Sequence, residues 1–166
     1  MYSMEKALFI INMQEMFVGK TRDKNQFDYD GEDLINMINK RINDYQPEEV
    51  FYIISLKKGL FGGNYPKPST KEATFPGKLK IVSKNIYQKY KPDAFSSVIL
   101  EDFVRARNVK EIELVGVDGV DVVSTAQGAI DCGLKVVFNE SLIKTMNQDK
   151  MMKIRQGLKQ NKVSYI

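Results

Sequence analysis

Residues 111–133 read EIELVGVDGVDVVSTAQGAIDCG, and this stretch decides the fold of the chain. Its first seven residues, EIELVGV, are typical of a strand that is buried on both faces, because branched apolar residues predominate. A helix is predicted from about residue 120 to residue 132. It ends at Gly133, because glycine readily takes the left-handed conformation that closes a helix. A buried strand followed by a helix is the repeating unit of an α/β protein.

The same alternation of strands and helices is predicted on both sides of this stretch. The further predicted strands are residues 4–12, 50–55, 81–82 and 134–138. One further helix is predicted to begin near residue 31, and two others are predicted to cover residues 96–107 and 148–160. Crossovers between parallel strands are right-handed, so this order predicts a three-layer α/β/α sandwich around a mainly parallel, doubly wound sheet. Ligands bind such sheets beyond the carboxyl ends of the strands.

The composition is that of one globular domain covering residues 1–166. The chain is 43% hydrophobic and 28% charged, and it has a single cysteine and no histidine. The absence of histidine excludes Ser-His and Cys-His nucleophile pairs and metal sites built on histidine. One cysteine forms no intrachain disulfide, and no apolar run approaches the roughly 20 residues that span a bilayer. We therefore expect a cytoplasmic protein that does not enter membranes.

The positive charge is concentrated in residues 57–91, which hold nine lysines and one acid, Glu72. This segment is interpreted as a solvated loop region, with an anion-facing surface as the alternative. It has no arginine and no reading helix, so no nucleic-acid partner is expected. Glycine and proline are dense in residues 56–80, which predicts a long loop. Loops of that length in compact domains are usually functional or mobile.

Three segments carry a resemblance to a known family. They are ALFIINMQEMF at 7–17, KYKPDAF at 89–95, and LVGVD at 114–118 with STA at 124–126. In this order they resemble the isochorismatase-like cysteine hydrolases, which include nicotinamidases and isochorismatases. The corresponding family patterns are ALLVIDMQxxF, KxxxSAF and GVATDxCVxxTAxxA. The resemblance extends over roughly residues 5 to 140 and implies the same α/β fold.

The family's chemistry, as the resemblance implies it, uses an aspartate after the first strand, a lysine and a cysteine. The aspartate position is Asn12, whose amide accepts no proton at neutral pH. The lysine position is Lys89, with Lys84 as the alternative if the loop follows another path.

The cysteine position falls on Asp121 or on Val122. Counting back from the Thr-Ala pair gives Asp121, and counting forward from Gly116 gives Val122. If Asp121 occupies the helix start, it is expected to pair with Lys89 and to cap its own helix. The single thiol, Cys132, is interpreted as a small buried hydrophobe at the far end of that helix.

The resemblance also supplies the residues expected around a ligand. They are Gln14, Phe17, Val117, Asp118 and Val122. No cofactor is expected, and no metal, because residues 55–58 carry two lysines where some relatives place metal ligands. A small-molecule ligand and a homodimer are the expected partners, with aromatic residues such as Tyr65 and Tyr90 available for an interface.

Two functions follow from these substitutions. The first is a non-catalytic binding or assembly homologue that has lost the thiol mechanism. The alternative is an active hydrolase with altered chemistry on a small amide or enol ether, using Lys89 and Asp121. In it Asp121, or Glu15 just after the first strand, replaces the family's aspartate as the acid. A nucleotide-binding domain is disfavoured, since no G-x-G-x-x-G or P-loop motif follows any strand.

Overall fold

The computed structural model describes residues 4–60 and 63–166, so residues 61 and 62 of the predicted loop lie outside the described residues. The described residues form six strands. They are β1 (Lys6–Ile11), β2 (Val50–Ser55), β3 (Ile86–Lys89), β4 (Glu111–Gly116), β5 (Lys135–Ile143) and β6 (Val163–Tyr165). They form one sheet in the order β3-β2-β1-β4-β5-β6, and all neighbouring pairs are parallel. The predicted doubly wound α/β fold is confirmed.

Within the described residues, five α-helices connect the strands. They are α1 (Glu15–Val18), α2 (Gly31–Ile42), α3 (Val98–Ala106), α4 (Gly119–Asp131) and α5 (Gln148–Gln156). Successive strand residues point to opposite faces, so Leu8 packs in the cluster with α2 while Phe9 packs in the cluster with α3 and α4. Burial on both faces explains why the central strands are continuously apolar. No helix formed by the described residues has the length and apolar character needed to cross a membrane.

The predicted strand at residues 81–82 is wrong. Those residues lie outside the strands, and β3 begins at Ile86. The hydroxyl of Tyr52 donates to the carbonyl of Lys80 and accepts from the amide of Val82. These backbone groups are therefore hydrogen-bonded to a side chain and not to a neighbouring strand. Helix α1 and strand β6 are short and were not predicted, and β5 continues to Ile143, five residues beyond the predicted end at 138.

Gly116 brings the ends of β1 and β4 close together. Its φ is 117°, and a Cβ atom at this position would lie 2.1 Å from the carbonyl oxygen of Ile11. Only glycine fits such an approach without moving the backbone. The amide of Val117 then donates to the same Ile11 carbonyl at 3.0 Å. This contact places the start of α4 directly beside Asn12, which follows β1.

Candidate active site

Four polar side chains converge at the carboxyl edge of the sheet. Asn12 follows β1, Ser55 ends β2, Lys89 ends β3, and Asp121 lies in the first turn of α4. Each of these residues is at most 6% exposed. The three positions that the family resemblance singled out, Asn12, Lys89 and Asp121, are therefore neighbours in the structure.

Asp121 is the centre of this arrangement. Its Oδ2 atom accepts hydrogen bonds from Lys89 Nζ at 2.8 Å, from Asn12 Nδ2 at 2.7 Å and from the Tyr65 hydroxyl at 2.7 Å. The hydroxyl of Ser55 donates to Asn12 Oδ1 at 2.7 Å. We call these five residues the Asp121 cluster. Three donors, one of them charged, surround a single carboxylate oxygen.

Lys89 is held by further contacts. Its ammonium also donates to the carbonyl of Lys91 at 3.1 Å and to the Tyr65 hydroxyl at 3.3 Å, and it lies 4.8 Å from the centroid of the Tyr65 ring. Burial lowers the pKa of the Lys89 ammonium, while the charge of Asp121 opposes that change. Burial and then the Asp121 charge raise the pKa of the Tyr65 phenol, so this hydroxyl stays protonated and acts as a donor.

The structure separates the alternatives that the sequence left open. Asp121 faces Lys89, whereas Val122 is fully buried in the hydrophobic cluster with Val123. Lys84 is exposed and lies before β3. Asp121 and Lys89 are therefore the pair at the site.

The expectation that Asp121 caps its own helix is wrong. The cap of α4 is Asp118, whose carboxylate accepts from the amide of Val120 at 2.8 Å. Asp118 also accepts from the Thr145 hydroxyl at 3.0 Å and from the amide of Met146 at 2.7 Å. Asp121 lies three residues further along, where its carboxylate is directed at Lys89 instead of the free amides of the first turn.

Gln14 is bonded to backbone on two sides. Its Nε2 donates to the carbonyls of Ser55 at 3.0 Å and Ala73 at 3.1 Å, and its Oε1 accepts from the amide of Ser55 at 2.9 Å. Gln14 therefore holds Ser55 in place, and the hydroxyl of Ser55 donates a hydrogen bond to Asn12. Phe17 packs edge to face on the Phe27 ring with centroids 5.5 Å apart, and Val117 is fully buried. Contact of these residues with a ligand stays a prediction.

Sequence reasoning did not place Tyr65 or Ser55 in the site. Tyr65 lies in the long loop after β2, and the loop's length and composition were the available signal. The sequence of such a loop does not show which strand end an aromatic side chain in it will cover. The other tyrosine expected at an interface, Tyr90, lies under the Lys58 ammonium at 5.1 Å from its ring centroid.

The residues present do not fit the metal site of some relatives. The chain has no histidine. Within residues 4–60 and 63–166, no group of three or more cysteine, aspartate and glutamate side chains is arranged to hold an ion. Cys132 follows the last turn of α4, where its Sγ lies 3.7 Å from Glu101 Oε1, and burial raises the pKa of its thiol. It is not part of the Asp121 cluster.

Comparisons with known proteins agree with the sequence motifs. The family model described as Isochorismatase domain matches residues 6–162. A nicotinamidase/pyrazinamidase from Acinetobacter baumanii superposes with a TM-score of 0.80 at 19% identity, covering 98% of this chain and 95% of the other. No curated protein matches the sequence significantly.

Two further solved structures are similar over comparable lengths. An N-carbamoylsarcosine amidase from Thermoplasma acidophilum has a TM-score of 0.78 at 15% identity, with 98% and 95% of the two chains covered. An isochorismatase-like hydrolase from Alkaliphilus metalliredigens has a TM-score of 0.77 at 18% identity, with 98% and 94% covered. At these identities the likeness to solved structures concerns the fold.

Proposed function

The chain belongs to the isochorismatase family, and from that premise we propose that it is a hydrolase-like homologue without thiol catalysis, whose site serves binding or assembly. One observation supports this most directly. Asp121 Oδ2 accepts from Lys89, Asn12 and Tyr65 together, and the proposal assigns Asp121 to the position of the family's nucleophile. An oxygen whose lone pairs are engaged by three donors is a poor nucleophile and a poor base.

The general base of the family mechanism is also missing. Asn12 donates through Nδ2 to Asp121, and its Oδ1 accepts from Ser55, so both ends of the amide are engaged. An amide takes up no proton at neutral pH. The site therefore lacks both the group that removes a thiol proton and the thiol itself.

The charges of the cluster define the ligand that it suits. The Lys89 ammonium and the Asp121 carboxylate neutralise each other within 2.8 Å. A ligand that displaces the Tyr65 hydroxyl must supply a donor to Asp121 Oδ2, as an amide N–H or a hydroxyl does. The proposed ligand is a small neutral molecule that carries such a group. Gln14, Phe17, Val117 and Asp118 are proposed to shape the surrounding wall, whereas Val122 lies in the hydrophobic core.

The test measures ammonia release from nicotinamide, pyrazinamide and N-carbamoylsarcosine. We expect no release above buffer by the wild-type chain or by K89M. A double variant that combines N12D with D121C asks whether the scaffold still supports the family mechanism. Turnover by the wild type that is lost in both K89M and D121N would overturn the proposal.

The alternative of an active hydrolase with altered chemistry has one observation in its favour. Burial lowers the pKa of the Lys89 ammonium, which eases proton exchange with the carboxylate that touches it. Its test is hydrolysis of an enol ether such as isochorismate. Activity in the wild type that disappears in D121N supports this alternative, and its absence supports the binding homologue.

Two broader expectations belong to the same proposal. The chain is proposed to act in the cytoplasm and to form a homodimer. Sedimentation velocity at two protein concentrations tests the dimer, because a monomer at both concentrations contradicts it.

A further inference from the structure

Strand β3 forms one edge of the six-stranded sheet. It pairs with β2 on its inner side, where the carbonyls of Asn85 and Lys89 accept from the amides of Tyr52 at 2.8 Å and Leu56 at 3.0 Å. Backbone groups of a strand alternate in direction, so Gln88, which precedes Lys89, directs its N–H and C=O away from the sheet. These groups form a template on which a further strand can hydrogen-bond.

A groove of about 670 Å³ runs beside this edge. Its apolar lining includes Ile86 of β3, the ring of Tyr90 and Ile99 of α3, a residue that is 73% exposed. Such large apolar side chains are seldom left in solvent side by side on a monomer without an interaction role. The groove therefore has the two features of a strand-addition site, an open backbone edge and adjacent apolar contacts for alternate side chains.

The charge around the groove selects the occupant. Lys58 and Lys91 line it, and the described residues that line it include no carboxylate. A second copy of this chain would bring the same lysines against these, which disfavours pairing of two copies along this edge. An acidic segment is attracted instead.

From this arrangement we propose that the β3 edge receives an extended segment of another protein in which acidic and apolar residues alternate. Its backbone pairs with Gln88, its apolar side chains contact Ile86 and Ile99, and its carboxylates face Lys58 and Lys91. The proposal does not depend on the Asp121 cluster, although Lys89 of that cluster belongs to the same strand.

The test uses a fluorescein-labelled peptide of four Glu-Val repeats and the full chain, followed by fluorescence anisotropy. We expect saturable binding that weakens with added salt, because the charged contacts are exposed. I99D is expected to weaken binding about tenfold, as removal of a central apolar contact does. Q88P, which removes the outward N–H, and K58E are expected to weaken it as well.

The matched control is V98D. Val98 is the neighbour of Ile99 on α3, is 66% exposed, and does not line the groove. The proposal requires binding by V98D to equal that of the wild type and a labelled Lys-Val peptide not to bind. It is overturned if no saturable binding occurs, if V98D weakens binding as much as I99D, or if the Lys-Val peptide binds equally. A dimer that I99D dissociates would also overturn it, since a second copy would then occupy the edge.

Discussion

Lys89 Nζ lies 2.8 Å from Asp121 Oδ2, and the two side chains are 0% and 9% exposed. The residues are 32 positions apart, on β3 and on α4, so the ion pair joins an edge strand to the helix beyond the centre of the sheet. Two opposite charges are stable away from water only when they form an ion pair and their remaining polar atoms make further hydrogen bonds. Asn12 and Tyr65 supply those bonds on the carboxylate.

Removing the cation is expected to destabilise the fold strongly. K89M leaves the Asp121 carboxylate buried without its charge partner, which costs about 3–5 kcal/mol of unfolding free energy. The double variant K89M/D121N is expected to recover part of this loss, because no unpaired charge remains. Urea denaturation of the four members of the cycle measures the coupling. K84M is the control, since Lys84 is exposed, and a K89M loss no larger than that of K84M contradicts the prediction.

Tyr65 is expected to contribute a hydrogen bond of ordinary strength. Y65F removes the hydroxyl that donates to Asp121 but keeps the ring beside Lys89, so we expect a loss of about 1 kcal/mol. The control is Y90F, whose hydroxyl makes a 3.3 Å exposed contact with Gln88, and for which no measurable change is expected. Equal urea midpoints for Y65F and the wild type would show that water replaces the hydroxyl.

Asp93 is expected to make stability depend on pH between about 4 and 6. Burial raises the pKa of its carboxyl to about 6, although the Phe95 amide donates to it at 2.8 Å. The unfolded chain releases this proton near pH 4, so the folded state binds more protons between the two values. Above pH 6 the burial of the ionised Asp93 carboxylate lowers the free energy of unfolding by its full amount. This loss of stability disappears as the pH falls below about 4.

The variant D93N mimics the protonated state and keeps an acceptor for the Phe95 amide. We expect it to be more stable than the wild type by about 1 kcal/mol at pH 7.5, a figure reduced for partial solvent access, and equal to it at pH 4. Thermal unfolding at several pH values measures the difference. D102N, at an exposed position on α3, should show no such trend. A D93N advantage that does not change with pH contradicts the assignment.

Glu113 is expected to be a stabilising buried anion. It accepts from Arg41 at 2.6 and 2.9 Å, from the Tyr45 hydroxyl at 2.9 Å and from Asn139 at 3.1 Å. Burial raises the pKa of this carboxyl, but these hydrogen bonds outweigh it and hold the pKa below its usual range. The stabilisation is therefore present above the ordinary glutamate pKa and is lost as the pH falls through the lowered value.

The variant E113Q removes the charge and is expected to cost about 2–3 kcal/mol at neutral pH, with a smaller difference from the wild type in acid. D44N is the control, because Asp44 bonds Arg41 from the exposed side at 2.9 Å. Urea denaturation at pH 7 and pH 4 measures both variants. The prediction fails if D44N costs as much as E113Q.

The strands that the sequence predicted well are those buried on both faces. Residues 50–55 form β2 as predicted, and β1 and β4 lie within the predicted ranges, because a strand covered by helices on both sides must be apolar throughout. Strand β3 escaped prediction since it is an edge strand of four residues with Ile86 and Gln88 exposed. Burial of one face only leaves a mixed pattern of polar and apolar residues in β3, whereas the neighbouring Ile81 and Val82 are both apolar and were predicted as the strand instead.

The sequence by itself determined the alternation of strands and helices and the family motifs, and it singled out Asn12, Lys89 and either Asp121 or Val122 as candidate site residues. It did not determine whether Asp121 or Val122 reaches the site, because the two counts differ by one residue. Adjacent residues of a helix point about 100° apart, so the rotation of α4 decides the question, and that rotation is set by packing of Val122 in the core. The contact of Tyr65 likewise depends on the path of a long loop, which local sequence does not encode and which only the tertiary structure fixes.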